Sequence, residues 1–94
     1  YHVWWDPNVY REIARARGRI LGFHVNDWIV PAPDMLRGRG MMGDGFIEIR
    51  KLRHAVDAAG YDGPIEVEIF NDEIWNAPGD DVLELMKERY LAHV

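Results

Sequence analysis

Two short stretches of the chain alternate apolar and polar positions with the period of a strand, and the segments between and after them repeat with the period of a helix. In the first stretch Leu21, Phe23 and Val25 share one side, and Gly22, His24 and Asn26 share the other. In the second, Ile65, Val67 and Ile69 lie opposite Glu66, Glu68 and Phe70. An apolar face packed on helices with polar groups on the other face is what strands of a closed parallel barrel show near its catalytic rim. His24 and Glu68 fall near the ends of their strands, and both are metal-type ligands.

The other elements follow from the same pattern. Residues 1–5 read as a short strand, and Asp6 with Pro7 reads as an N-cap followed by proline at the first helical position. A helix to about Arg17 follows, with Val9, Tyr10 and Ile13 as its apolar stripe, Arg15, Arg17 and Arg19 near its C-terminal end, and Gly18 as its stop. Residues 19–25 then form the second strand, and residues 26–48, punctuated by Pro and Gly, form a long loop of the kind that usually carries function. Ile49, Leu52, Ala55, Val56 and Ala59 keep helical spacing up to Gly60, and residues 61–64 turn into the third strand. The last helix starts near Asp80 or Asp81 with Val82, Leu83, Met86 and Tyr90 on its inner side. Strand and helix thus alternate, which predicts an α/β fold with parallel strands and right-handed crossovers. Three parallel strands covered on one face leave the other face and both edges bare, so the rest of a barrel is expected beyond this chain. The opening residues, with no initiator Met, fit a cut through a longer protein.

Composition narrows the function classes. The chain has 94 residues, 48% hydrophobic and 29% charged, which is globular rather than disordered. A formal charge of -5, with 11 basic residues scattered along the sequence, argues against a nucleic-acid partner. Without cysteine there is no disulfide framework, thiolate metal site or cysteine nucleophile, and a reducing cytoplasm is the expected compartment. No apolar run approaches the roughly 20 residues of a membrane span, so no membrane partner is expected.

Each candidate residue also has a plain structural reading. A lone strand histidine is more often a hydrogen-bonded structural residue than a ligand, and two glutamates on one strand face can simply meet water. A strand rich in Ile, Val and Phe buries much of that face, however, and an unpaired buried carboxylate is costly. Glu68 is favoured over Glu66 because it lies closer to the C-terminal end of its strand, where barrel sites form. Arg37, Arg39 and the glycines between 38 and 45 either cradle an anion or form a solvated turn, and they follow no strand directly as a dinucleotide fingerprint does. Met41 and Met42 close a pocket or cover the loop. Among four tryptophans, Trp28, just after the His24 strand, is the best candidate for a pocket wall, while His54 and His93 sit among charged helix residues as a solvated face.

Four segments carry a family resemblance: Phe-His-Val-Asn-Asp at 23–27, Arg-Gly-Met-Met-Gly-Asp-Gly at 39–45, Ala-Ala-Gly-Tyr-Asp-Gly at 58–63, and Ile-Glu-Val-Glu-Ile-Phe-Asn at 65–71. In this order and spacing, across the whole chain, they resemble the sugar phosphate isomerase/epimerase family. These are the xylose-isomerase-like TIM barrels, which also include ketose 3-epimerases, inosose dehydratases and the endonuclease IV branch. The resemblance implies that residues 1–94 are a C-terminal portion of one barrel domain, its last three βα units, strands six to eight of eight. By position, His24 resembles the metal-binding histidine of strand seven and Glu68 the metal-binding glutamate of strand eight, which in epimerase members also acts as an acid/base group. Arg39 resembles the substrate-contacting arginine of the loop after strand seven. His2 resembles the substrate-contacting histidine three positions after a metal-binding aspartate, which would precede Tyr1; a further glutamate ligand, on strand four, also lies outside the sequence. Where the usual loop has an acidic residue before the Arg-Gly pair, this chain has Gly38. The implied activity is a divalent-metal-dependent sugar or sugar phosphate isomerase or epimerase using Mn²⁺, Mg²⁺ or Co²⁺, with Glu68 as catalytic group, His24 and Glu68 as metal ligands, and His2, Arg39 and Trp28 contacting substrate. A polyol dehydratase of the inosose dehydratase type, or a non-catalytic fragment needing a complementary chain, are the alternatives. The expected partners are a sugar or polyol and either a second copy or the remainder of the barrel.

Overall fold

The computed structural model describes residues 2–94. In chain order its elements are α1 (Val9–Arg15), β1 (Phe23–Val25), β2 (Asp27–Trp28), β3 (Arg39–Gly40), α2 (Ile49–Ala58), β4 (Ile65–Val67), α3 (Asp72–Asn76) and α4 (Gly79–His93). β1 and β4 run parallel, with Phe23 opposite Ile65, His24 opposite Glu66 and Val25 opposite Val67. α2 lies in the crossover between them, as the alternation of strand and helix requires. The N–H of Glu68 adds one further rung, donating to the Val25 carbonyl at 3.1 Å.

The apolar faces of the two strands meet the helices as the side-chain period predicts. Val25, Met41, Met42, Ile49 and Ile69 form the buried core, with Phe23, Ile65, Val67, Val82, Met86 and Tyr90 packed against it. Met41 and Met42 are both buried in the core rather than on the surface, and they fix the long loop to it, where flexible thioether chains fill an irregular gap. On α4 the packed positions are Val82, Met86 and Tyr90, four residues apart, whereas Leu83, expected on the inner side, is 47% exposed.

Several expected elements are shorter or different. Residues 2–5 form a turn rather than a strand, closed by the Asp6 N–H on the Val3 carbonyl and by the Trp5 indole N–H on the His2 carbonyl, each at 3.0 Å. Tyr1, the first residue of that expected strand, lies outside the described residues. The β-forming side chains of this segment meet no neighbouring strand among the described residues, and local hydrogen bonds take the backbone instead. The parallel sheet therefore has two strands here, not three. Asp6 precedes the helix as a turn residue, its carboxylate accepting the Asn8 N–H at 2.7 Å, and Asn8 occupies the N-cap position. The second strand begins at Phe23, four residues later than expected, and Leu21 is 96% exposed. The ladder stops there because Pro64, just before Ile65, has no N–H to extend it. Within the long loop, β2 and β3 pair antiparallel, Asp27 opposite Gly40 and Trp28 opposite Arg39. α3 was not anticipated; Asn71 caps it by accepting the N–H groups of Glu73 at 2.8 Å and Ile74 at 3.3 Å.

Candidate active site

On the face of β1 and β4 turned away from the core, three polar side chains converge. His24 Nδ1 lies 3.0 Å from Glu68 Oε2, and its Nε2 lies 2.7 Å from Glu66 Oε2. Both contacts follow from topology: His24 and Glu66 are register partners, and Glu68 is one step along the same face. A neutral imidazole donates from one nitrogen only. The two contacts together therefore take either a second ring proton or a cation seated between Nδ1 and Glu68.

The donor chemistry fits a divalent cation. Two donors each about 2.1 Å from one ion at a right angle lie about 3 Å apart, which is the separation of Nδ1 and Oε2 here. An imidazole with a carboxylate suits Mn²⁺, Mg²⁺ or Co²⁺. Among the described residues no group of three or more His, Cys, Asp or Glu side chains is arranged to hold an ion.

The backbone beneath these groups is held by Asn26. Its Nδ2 donates to the Glu68 carbonyl at 2.7 Å, across the strand pair, so Glu68 is gripped through both its N–H and its C=O. Asn26 is 1% exposed, and its Oδ1 is buried with no hydrogen-bond partner among the described residues.

The next residue organises the loop. Asp27, also 1% exposed, accepts three backbone N–H groups: Trp28 at 2.8 Å and Ile47 at 2.9 Å on Oδ1, and Gly43 at 2.9 Å on Oδ2. Gly45 lies so close to this knot that an added Cβ would sit 2.1 Å from the Trp28 carbonyl oxygen. The glycine-rich segment is consequently not an open anion cradle, because the N–H groups of Gly43, Asp44, Phe46 and Ile47 are bonded within the loop. His93, expected on a solvated face, lies against Gly43 instead, where an added Cβ would approach its Nε2 to 2.3 Å.

The same loop brings Trp28 and Arg39 together. The Arg39 guanidinium carbon stands 4.3 Å above the Trp28 ring, and Trp4 flanks that ring with centroids 6.2 Å apart. Arg39 is tied to the end of the β4 segment, its N–H donating to the Phe70 carbonyl at 3.1 Å and its own carbonyl accepting from Asn71 Nδ2 at 2.8 Å. His2 is exposed on the margin of a cavity of about 560 Å³ that His24, Trp4, Ile13, Phe23 and Val56 also line. His24 and Glu68 are thus in contact, Trp28 and Arg39 form a second pair, and His2 shares a cavity with His24.

Sequence reasoning set Asn26 on the His24 face and weighed Glu66 against Glu68 but gave neither a role, and it gave Asp27 none. Strand parity alone puts Glu66 and Asn26 on the His24 face, so both were within its reach. Asp27 left no comparable signal, because the donors it collects are backbone groups one, 16 and 20 positions away.

A parallel strand pair with its crossover helix and a polar rim invites comparison with barrel proteins. The family model of the xylose isomerase-like TIM barrel matches residues 1–89. The chain belongs to that family. A solved structure, protein SMc04130 of Sinorhizobium meliloti 1021, is 47% identical and superposes with a TM-score of 0.93 over 96% of this chain. That match covers 34% of the SMc04130 chain, so the present residues span about a third of its length. No curated protein matches the chain. Xylose isomerase-like TIM barrels are typically enzymes, isomerases and epimerases among them, and are often metal-dependent. The α/β unit described here is part of such a barrel. No helix among the described residues is long and apolar enough to cross a membrane.

Proposed function

We propose that these residues belong to a divalent-metal-dependent sugar or sugar phosphate isomerase or epimerase that moves a proton through an enediolate. The observation that carries this reading is the 3.0 Å approach of His24 Nδ1 to Glu68 Oε2 on adjacent parallel strands. His24 and Glu68 are the residues of this chain that would hold the metal, with further ligands supplied by the remaining strands of the barrel. When bound, Mn²⁺, Mg²⁺ or Co²⁺ supplies a Lewis acid that polarises a carbonyl and its neighbouring hydroxyl.

Glu68 takes the proton from the carbon beside the substrate carbonyl; for isomerisation it returns the proton to the neighbouring carbon, and for epimerisation a second acid/base group, supplied by the remaining strands of the barrel, delivers a proton to the opposite face. The bond from Asn26 to the Glu68 carbonyl keeps that carboxylate in place. Arg39 orients a hydroxyl or phosphate with its planar guanidinium, Trp28 backs it as an apolar wall, and His2, which shares a cavity with His24, contacts a hydroxyl.

The test is solvent-deuterium incorporation at the carbon next to the carbonyl, measured on the intact protein with Mn²⁺ and a panel of ketoses. Exchange in the wild type, lost in Glu68→Gln with the fold retained, is the expected result. Full exchange in Glu68→Gln would show that another group carries the proton.

A further inference from the structure

Glu66 makes the shorter of the two contacts to His24, at 2.7 Å on Nε2, although the functional reading gives it no task. The contact is set by the ladder, since His24 and Glu66 are register partners on adjoining parallel strands and face the same side. Neighbouring strands run about 4.8 Å apart, within the combined reach of a histidine and a glutamate. The two ring nitrogens serve opposite neighbours: with Nε2 on Glu66, Nδ1 is turned to Glu68. Glu66 is also the most open of the three, its side chain 63% exposed against 39% for His24 and 37% for Glu68, so its removal leaves no buried charge to unfold the strand.

We propose that Glu66 is a positioning residue, which accepts the Nε2–H of His24 and so holds the ring with its Nδ1 lone pair directed at the cation that His24 and Glu68 share. An isolated imidazole interchanges two tautomers and turns about its side-chain bonds, and only one of these arrangements presents Nδ1 as a donor. A carboxylate on the other nitrogen selects that arrangement, and losing such a partner characteristically costs a metal site 10–100-fold in affinity. This inference rests on the proposed metal role of His24 and Glu68.

The test is Mn²⁺ titration by calorimetry of the intact protein carrying Glu66→Leu, Glu66→Gln, His24→Ala and the double change, with thermal melts to verify folding. A second readout is the ¹H–¹⁵N signal of the His24 ring in the Mg²⁺-loaded protein. Glu66→Leu should weaken Mn²⁺ by about 10–100-fold. Glu66→Gln, whose amide oxygen still accepts from Nε2–H, should restore part of that loss, and adding Glu66→Leu to His24→Ala should cost nothing more. With Mg²⁺ bound, the Nε2–H should be hydrogen-bonded and slow to exchange with solvent in the wild type, and should exchange fast in Glu66→Leu. Unchanged affinity in Glu66→Leu with a large loss in His24→Ala would overturn the positioning role and leave the metal reading intact. Additive losses in the double variant would also overturn it, by showing that Glu66 acts apart from His24. Unchanged affinity in His24→Ala would overturn both.

Discussion

The carboxylate of Asp27 accepts the backbone N–H of Ile47 at 2.9 Å, joining the start of β2 to the residues that lead into α2 across 20 positions of chain. With the N–H groups of Trp28 and Gly43 on the same carboxylate, one buried side chain takes the place of a longer sheet in shaping this loop. Asp27→Ala strands three backbone donors, two of which lie far along the chain from it. Each hydrogen bond to a charged acceptor is worth about 1.5–3 kcal/mol, and the losses overlap, so a destabilisation of about 3–5 kcal/mol is expected. Urea unfolding of the intact protein measures it; a loss below about 1 kcal/mol would mean that water replaces the carboxylate.

Arg39 and Trp28 should behave as a coupled pair. Arg39→Ala is expected to raise KM for the substrate with little change in stability, and Trp28→Leu to shift KM in the same direction by less. The coupling in a double-mutant cycle should be about 0.5–2 kcal/mol, the range of a guanidinium over an indole. Additive effects on KM would separate the two residues.

Asp34 nucleates the turn that leads to β3. Its carboxylate accepts the N–H groups of Arg37 and Leu36, and these bonds hold its pKa below the usual carboxylate range. A depressed folded pKa contributes stability that is present above the unfolded value and is lost as pH falls through the folded value. The turn should therefore loosen locally on acidification below about pH 4, with the amide signals of Leu36 and Arg37 moving together. Amide shifts that stay constant down to about pH 2 would contradict this.

Residues 1–94 alone should bind Mn²⁺ weakly and turn over no sugar, because among the described residues no group of three or more His, Cys, Asp or Glu side chains is arranged to hold an ion. Leu21, Met35, Leu36, Phe46 and Leu91 are exposed apolar groups, and the isolated chain should self-associate. Light scattering with calorimetry checks both; a monomer with micromolar Mn²⁺ affinity would require ligands other than those named.

The contrast between what the sequence discloses and what it hides has physical causes. Side-chain parity is local, so the outward placement of His24 and Glu68 and the inward placement of Val25, Val67 and Ile69 are readable from a few residues. Register is not local, and the pairing of His24 with Glu66 depends on where Pro64 stops the ladder. Residues 2–5 look like a strand because Val3, Trp4 and Trp5 favour one, yet strand propensity expresses packing against neighbours, and an i to i+3 turn prevails here. Asn71 followed by Asp72 and Glu73 is a legible helix start, obscured by the longer apolar pattern before it.

The central claim is that His24 and Glu68 are donors to one divalent cation. The most direct measurement is an anomalous difference map from crystals of the intact protein grown with Mn²⁺. The account predicts a peak about 2.1–2.3 Å from both His24 Nδ1 and a Glu68 carboxylate oxygen, with His24 Nε2 still on Glu66. A fully occupied Mn²⁺ elsewhere, with His24 and Glu68 in direct hydrogen-bonded contact and no metal between them, would contradict it.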